Sequence, residues 1–168
     1  MPKIIENLEE RLIAEARKQI KESGYAATTI RSVAKACGVG VGTVYNYFPS
    51  KDALLAAYLA EDWNQCYACI EAVQAAADSP EPIARCIHDQ LRQYAHRHQT
   101  LFQDKDAAAD VAAPFGKYHA MLRRQLARPL RAYCDSDFCA EFIAQALLTW
   151  TIEGQDFDRI YPLLRKLF

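Results

Sequence analysis

Thr43, Asn46 and Tyr47 lie close together, just after the turn Cys37-Gly38-Val39-Gly40. Two short apolar-patterned segments joined by a tight glycine turn are the local plan of a helix-turn-helix. In that plan Val33, Ala34, Val39, Val44 and Phe48 face inward and fix the angle between the helices. Thr43, Asn46 and Tyr47 are left pointing outward, polar and long enough to reach into a groove. The chemistry they offer is hydrogen bonding to a base edge or a phosphate, with the second helix standing off steeply enough to enter the major groove.

Other reactive side chains are less organised. Six cysteines occur at positions 37, 66, 69, 86, 134 and 139. Cys66 and Cys69 form a C-x-x-C inside a helical pattern rather than in a turn, and a zinc site would need further ligands such as Cys86 and His88, whose spacing matches no familiar module. No metal is therefore expected, nor any cofactor, and the cysteines read mainly as small buried hydrophobes. A thiol sensor switched through Cys66 or Cys69 is the alternative. No Ser/His/Asp set or carboxylate pair has a recognisable catalytic spacing, so the chain reads as a non-enzyme.

The elements that must position these residues are helices throughout, an all-α fold. Over 168 residues the chain is 51% hydrophobic and 24% charged with a net charge of -1, which excludes a disordered chain. No stretch approaches the roughly 20 unbroken apolar residues of a membrane span. The start lacks an apolar secretory core, so a cytoplasmic protein is expected. Charge is uneven: from Arg11 to Leu55 seven basic residues stand against three acidic ones, a mild pointer to a polyanion at that end. Leu8, Leu12, Ala16 and Ile20 mark a first amphipathic helix ending near Gly24. Thr28-Thr29 caps a second helix, a third runs from about Val41 to Phe48, and Ser50 caps a long fourth. Asp78-Ser79-Pro80-Glu81-Pro82 is the next break, with a helix from about Pro82 to His98. A looser stretch follows to Ala113, then helices at about Pro114–Tyr133, Ser136–Glu153 and Phe157–Leu167.

The run Gly24-Tyr25-Ala26-Ala27-Thr28-Thr29-Ile30-Arg31-Ser32-Val33-Ala34, continued by Gly38-Val39-Gly40-Val41-Gly42-Thr43-Val44-Tyr45-Asn46-Tyr47-Phe48-Pro49-Ser50-Lys51-Asp52-Ala53-Leu54-Leu55, resembles the tetracycline-repressor-type (TetR) family of bacterial regulators. The resemblance covers roughly the first third of the chain. It implies a helix-turn-helix DNA-binding domain over residues 1–50, with the motif at 29–48, and a helical ligand-binding and dimerisation domain over 51–168. It implies that Thr29 caps a helix at a phosphate and that Arg31 can reach a base edge. Val41, Gly42 and Thr43 open the recognition helix, with Asn46 one turn later, placed to bond adenine. Tyr45, Tyr47 and Lys51 resemble phosphate contacts, Tyr45 with a competing role in packing. Two departures stand out: Gly40 where the family often has serine, and Cys37 where alanine is common.

A helix-turn-helix head reads half-sites about 34–36 Å apart and so needs a symmetric copy. Phe138, Phe142, Ile143, Leu147 and Trp150, then Phe157, Ile160, Leu164 and Leu167, are many large apolar residues for a terminal helix pair. They are the expected homodimer face, and the resemblance implies a four-helix bundle there. Trp63, Tyr67, Tyr94, Phe102, Tyr118 and Met121 are the expected lining of a small-molecule pocket, with Arg92, His88, His96 and His119 as polar anchors. The whole reads as a regulator, a repressor released from double-stranded operator DNA by a small-molecule effector. A DNA-binding protein without an effector is a second alternative.

Overall fold

A computed structural model describes residues 7–103 and 119–168 of the chain, and among these residues it is helical with no strand. Helix α1 (Leu8–Ser23) buries Leu8, Leu12, Ile13 and Ala16 along one face, and Gly24 ends it at φ 84°. Helix α2 (Ile30–Cys37) begins at Thr29 and buries Ile30, Val33 and Ala34. Gly38 stops it in the left-handed region, at φ 70° and ψ 32°. Its amide donates to the Lys35 carbonyl while the Val39 amide donates to Ala34, 3.0 Å away, the paired bonds of a Schellman stop that favours glycine. Helix α3 (Val41–Tyr47) follows directly. Pro49 lies just beyond it, and Phe48 is in the extended conformation that a following proline favours. Helix α4 runs from Lys51 to Ala76 without interruption, its start capped by Ser50 Oγ, which accepts from the Ala53 amide at 3.1 Å.

Helix α5 (Pro80–Arg97) starts at Pro80, two residues before the expected Pro82, with Ser79 as its N-cap residue. Both prolines fit because the first-turn amides of a helix have no intrahelical acceptor to lose. After α6 (Gln99–Gln103), the description resumes in a helical segment, α7, over residues 119–127. The expected start of that helix near Pro114 lies outside the described residues. Its expected continuation to Tyr133 is corrected: residues Arg128–Tyr133 form a 3-10 turn with Pro129 at its start, where the missing amide interrupts α-helical bonding. Helix α8 (Asp137–Ile152) is capped by Ser136, which accepts from the Cys139 amide. Helix α9 (Phe157–Leu164) ends short of the expected Leu167 and contains Pro162.

The chain divides into two compact units. Among the described residues, one comprises 7–62 with 100–103 and the other 63–99 with 119–168. Residues 51–62 of α4 thus pack with the N-terminal unit, beyond the boundary at residue 50 that the sequence suggested. The N-terminal core joins Leu12, Val33, Val44, Leu55 and Tyr58, and Arg17 of α1 pairs with Glu61 and, at 2.9 Å, with the buried Asp62 of α4. The second core gathers Trp63, Ile70, Ile87, Leu126, Ile143 and Leu147. There buried His88 donates through Nε2 to the Gln155 carbonyl at 3.1 Å, pinning α5 to the turn before α9. No helix among the described residues is long and apolar enough to cross a membrane.

Candidate nucleic-acid interface

Three devices shape the surface made by α2, α3 and the start of α4. At the first, the Thr29 hydroxyl accepts from the Ser32 amide and the Ser32 hydroxyl accepts from the Thr29 amide, both at 3.0 Å. This reciprocal box satisfies two amides that the helix start would leave open. Thr28, expected to share the cap, is buried instead, and its hydroxyl donates to the Gly24 carbonyl at 2.9 Å. Thr29 and Arg31 remain exposed.

The second device is α3 itself. Gly40 occupies its N-cap without a side-chain bond, and the Thr43 amide bonds the Gly40 carbonyl at 3.0 Å. Val44 is fully buried and Phe48, just past the end, nearly so. With those two residues pulled inward, helical geometry turns Tyr45, Asn46 and Tyr47 out to solvent, Tyr45 at 51% and Tyr47 at 44% exposure. About half of the Tyr45 surface is thus open to solvent. Val41 and Thr43 are half-exposed, and Gly42 is exposed with open space where a Cβ would stand. The structure thus brings Val41, Gly42, Thr43, Tyr45, Asn46 and Tyr47 onto one short, outward-facing helix.

The third device involves Lys51, expected at a phosphate. Its ammonium is hydrogen-bonded to the Tyr25 carbonyl and stands 3.6 Å from the centre of the Tyr25 ring. The Tyr25 hydroxyl donates to Asp52 at 2.7 Å. Tyr25 lies in the run that carries the family resemblance, but nothing local reveals which distant cation its ring will meet.

In the second unit the expected pocket residues separate. Trp63 is buried, edge-on to Tyr94 with 5.5 Å between ring centres. Its indole Nε1 donates to Gln125 Oε1 at 2.8 Å, and the Tyr67 hydroxyl donates to the Gln125 carbonyl at 3.0 Å. Gln125 is the polar centre of this aromatic group, and no sequence signal singled it out. Met121 is corrected: it is exposed on α7 rather than lining a cavity. The side chain of Phe102 and all of Tyr118 lie outside the described residues. Among the anchors, His88 is committed to Gln155 and Asp89. Arg92 and His96 sit together in an open depression on α5 of about 480 Å³, with Gln93 and Arg97. His119 is half-buried on α7.

The expected dimer face also divides. Ile143 and Leu147 are fully buried in the protomer's own core, and Ile160 and Leu164 nearly so. The assignment of Ile143 and Leu147 to an accessible face is corrected, because α8 is apolar on two sides and these two lie on the inner one. Ile160 and Leu164 of α9 instead reach the groove beside Phe142 and Trp150. The outer side carries Phe138 at 79%, Phe142 at 54% and Trp150 at 48% exposure. Ile152 and Leu163, not singled out in the sequence, are exposed as well. Phe142 and Trp150 line a groove of about 370 Å³ between α8 and α9, closed by residues including Leu163 and Leu167.

The cysteines differ from expectation too: only Cys66 is buried, Cys69 is exposed and the other four are half-buried. Burial, and then the neighbouring Cys139, push the Cys134 thiol up to about 11. Burial likewise raises Cys37 and Cys86. Such thiols are weak nucleophiles. Among the described residues no group of three or more His, Cys, Asp or Glu side chains could hold a metal ion.

Comparison with known proteins bears on both units. Residues 12–58 match the family described as bacterial regulatory proteins, tetR family. The HTH-type transcriptional regulator YuxN of Bacillus subtilis (strain 168) is 32% identical over 98 residues, 58% of this chain and 32% of that protein. The chain spans between about a quarter and a third of the length of the first curated relatives it matches. Among solved structures, the transcriptional regulator SCO7518 of Streptomyces coelicolor A3(2) superposes with a TM-score of 0.70 at 17% identity, covering 94% of this chain and 96% of that one. FadR of Thermus thermophilus, a TetR-family transcriptional repressor in complex with lauroyl-CoA, gives a TM-score of 0.64 at 20% identity over 95% and 92% of the two chains. At such identities the likeness is one of fold, and it extends through both units. The Schellman stop at Gly38, the outward α3 and the matched residues 12–58 together make the N-terminal part of the chain similar to the tetR family of bacterial regulatory proteins.

Proposed function

We propose that the chain is a DNA-binding transcriptional regulator, a repressor that leaves its operator when a small molecule binds the second unit. The observation that carries this reading is α3, anchored by buried Val44 and Phe48 while Tyr45, Asn46 and Tyr47 stand in solvent. An asparagine so presented can donate to and accept from an adenine edge, and Val41 can meet a thymine methyl. Thr29, Tyr45, Tyr47 and Lys51 serve phosphates, which fix register without reading sequence, while Arg31 reaches a base edge. Gly42 lets the backbone of α3 approach the duplex closely. Two copies are joined through Phe138, Phe142 and Trp150, so that two heads meet two half-sites. The effector is an apolar or flat molecule that competes with the Trp63–Tyr94 contact and takes over the hydrogen bonds now made to Gln125. Because α4 carries both Lys51 and Trp63, its displacement alters the heads and shifts the population away from the DNA-binding form.

Asn46→Ala tests the reading directly. The variant is expected to lose about 1–3 kcal/mol of discrimination at one base pair while keeping its affinity for random duplex, measured by anisotropy on duplexes selected from genomic DNA. Equal losses on selected and random DNA would remove the base-reading role of Asn46.

A further inference from the structure

We infer that Gln145 lies on the two-fold axis of the homodimer and sets its register by pairing with the partner's Gln145. This rests on the proposed self-association through α8 and names the contact at its centre. The buried residues of α8, from Ala140 to Thr151, occupy its inner side. On the opposite side Phe138, Phe142, Gln145, Thr149 and Ile152 follow one another at steps of four, three, four and three residues. That alternation is the seam by which one helix packs along another. Phe138, Phe142 and Ile152 are exposed, and Gln145 and Thr149 are half-exposed between them. The seam is thus apolar at both ends and polar at its centre.

The polar centre suits a copy of itself. Gln145 Nε2 donates to Thr149 Oγ1 at 2.8 Å, a bond that lays the amide along the helix. It uses one amide hydrogen, and an amide can still donate a second and accept at its oxygen. A wholly apolar surface laid over the seam would bury that capacity unmet. A second amide meets it in both directions, donor to acceptor and acceptor to donor. Phe138 and Ile152 stand seven residues to either side of Gln145, about two helical turns each way. A two-fold axis crossing α8 at Gln145 therefore sets Phe138 against Ile152 of the partner subunit and Phe142 near the partner's Thr149. It also brings the two Gln145 amides together, since in an isologous interface a residue on the axis meets its own copy. Sliding the helices by one turn would leave both amides against apolar groups, which is how one polar residue in a seam fixes register.

A residue that faces itself can be tested by charge. Full-chain Gln145→Glu and Gln145→Lys are followed by fluorescence-detected sedimentation, each alone and then as an equimolar mixture in which one variant carries the label. Alone, each is expected to dimerise about a hundredfold more weakly than the parent, because like charges oppose one another across the axis. The mixture should return to within about tenfold of the parent as labelled heterodimer, since opposite charges then meet. Phe138→Lys and Ile152→Glu, both at exposed positions, test the register in the same way: each weakens the dimer alone and their mixture regains it. Circular dichroism checks the fold of every variant, and Gln145→Asp with Gln145→Arg replaces the first pair if either loses helicity. Failure of either mixture to regain the dimer overturns the inference, and so does a charged Gln145 variant that dimerises like the parent. A parent that is monomeric at every concentration removes the proposed self-association itself, and the inference with it.

Discussion

Helices α3 and α8 solve opposite problems with similar means. Each has an inner face locked into a core and an outer face that stays in solvent. In α3 the lock is Val44 alone, assisted by Phe48 just past its end, and the outer face shows hydroxyls and an amide. In α8 six residues are buried, from Ala140 to Thr151, and the outer face shows Phe138, Phe142 and Trp150. A polar outer face keeps its hydrogen bonds to water until a polar partner replaces them. An apolar one is unfavourable in water until another surface covers it. The pairing of these two faces in one chain fits the proposed regulator, which meets nucleic acid through α3 and a second copy through α8.

The largest effect is expected on α8. Phe142→Asp or Trp150→Asp places a carboxylate in the proposed interface, and sedimentation should find a monomer of unchanged helicity. Operator affinity should fall by about a hundredfold or more, because the second head no longer binds as part of a linked pair. Gln74→Asp, at an exposed position, should leave the dimer intact. Folded dimers from both charged variants would place the interface elsewhere.

The inner face should respond differently. Leu147→Ala is expected to cost about 2–5 kcal/mol through an unfilled cavity, with a loss in denaturant midpoint present at every protein concentration. Phe142→Ala should instead make the midpoint less dependent on concentration, because the weakened dimer dissociates before its protomers unfold. Identical concentration dependence in the two variants would mean the two faces are not distinct.

Smaller effects test α3 and the thiols. At Gly40 a Cβ would meet only Thr43 Oγ1, at 3.7 Å, and φ is -70°. Gly40→Ser should therefore accept the Thr43 amide and stabilise the head by a few tenths of a kcal/mol; calorimetry showing a loss would mean the turn cannot hold the cap. The thiols should matter least. A pKa raised to about 11 leaves Cys134 protonated at pH 8 and its reactivity rising only at higher pH. Alkylation followed by mass spectrometry should then label exposed Cys69 before Cys134 or Cys66. Cys66→Ala with Cys69→Ser should bind DNA like the parent and respond identically to mild peroxide. A peroxide response lost in that variant would make the protein a thiol sensor.

Local chemistry was readable along the chain wherever a residue's role depends on its near neighbours. The Thr29 cap, the Gly38 stop, the end of α3 before Pro49 and the inward set Val33, Ala34, Val44 and Phe48 all follow from helix periodicity, capping and backbone restriction, interactions spanning a few residues. The all-helical fold followed for the same reason. What tertiary structure decided lies between residues far apart in the chain. Lys51 and Tyr25 are 26 positions apart, so the lysine's carbonyl and ring partners appear only once α4 folds back on the turn after α1. Trp63 and Gln125 are 62 apart, and nothing near Gln125 marks it as the acceptor for a buried indole. Helix α8 shows the limit most plainly. Its sequence determined that it would be apolar almost all round, but a helix apolar on two sides does not state which side its own core takes. Packing against α5 and α9 took Ile143 and Leu147 and left Phe138, Phe142 and Trp150 outside, because that choice depends on which neighbouring surfaces fit and not on the period of the helix.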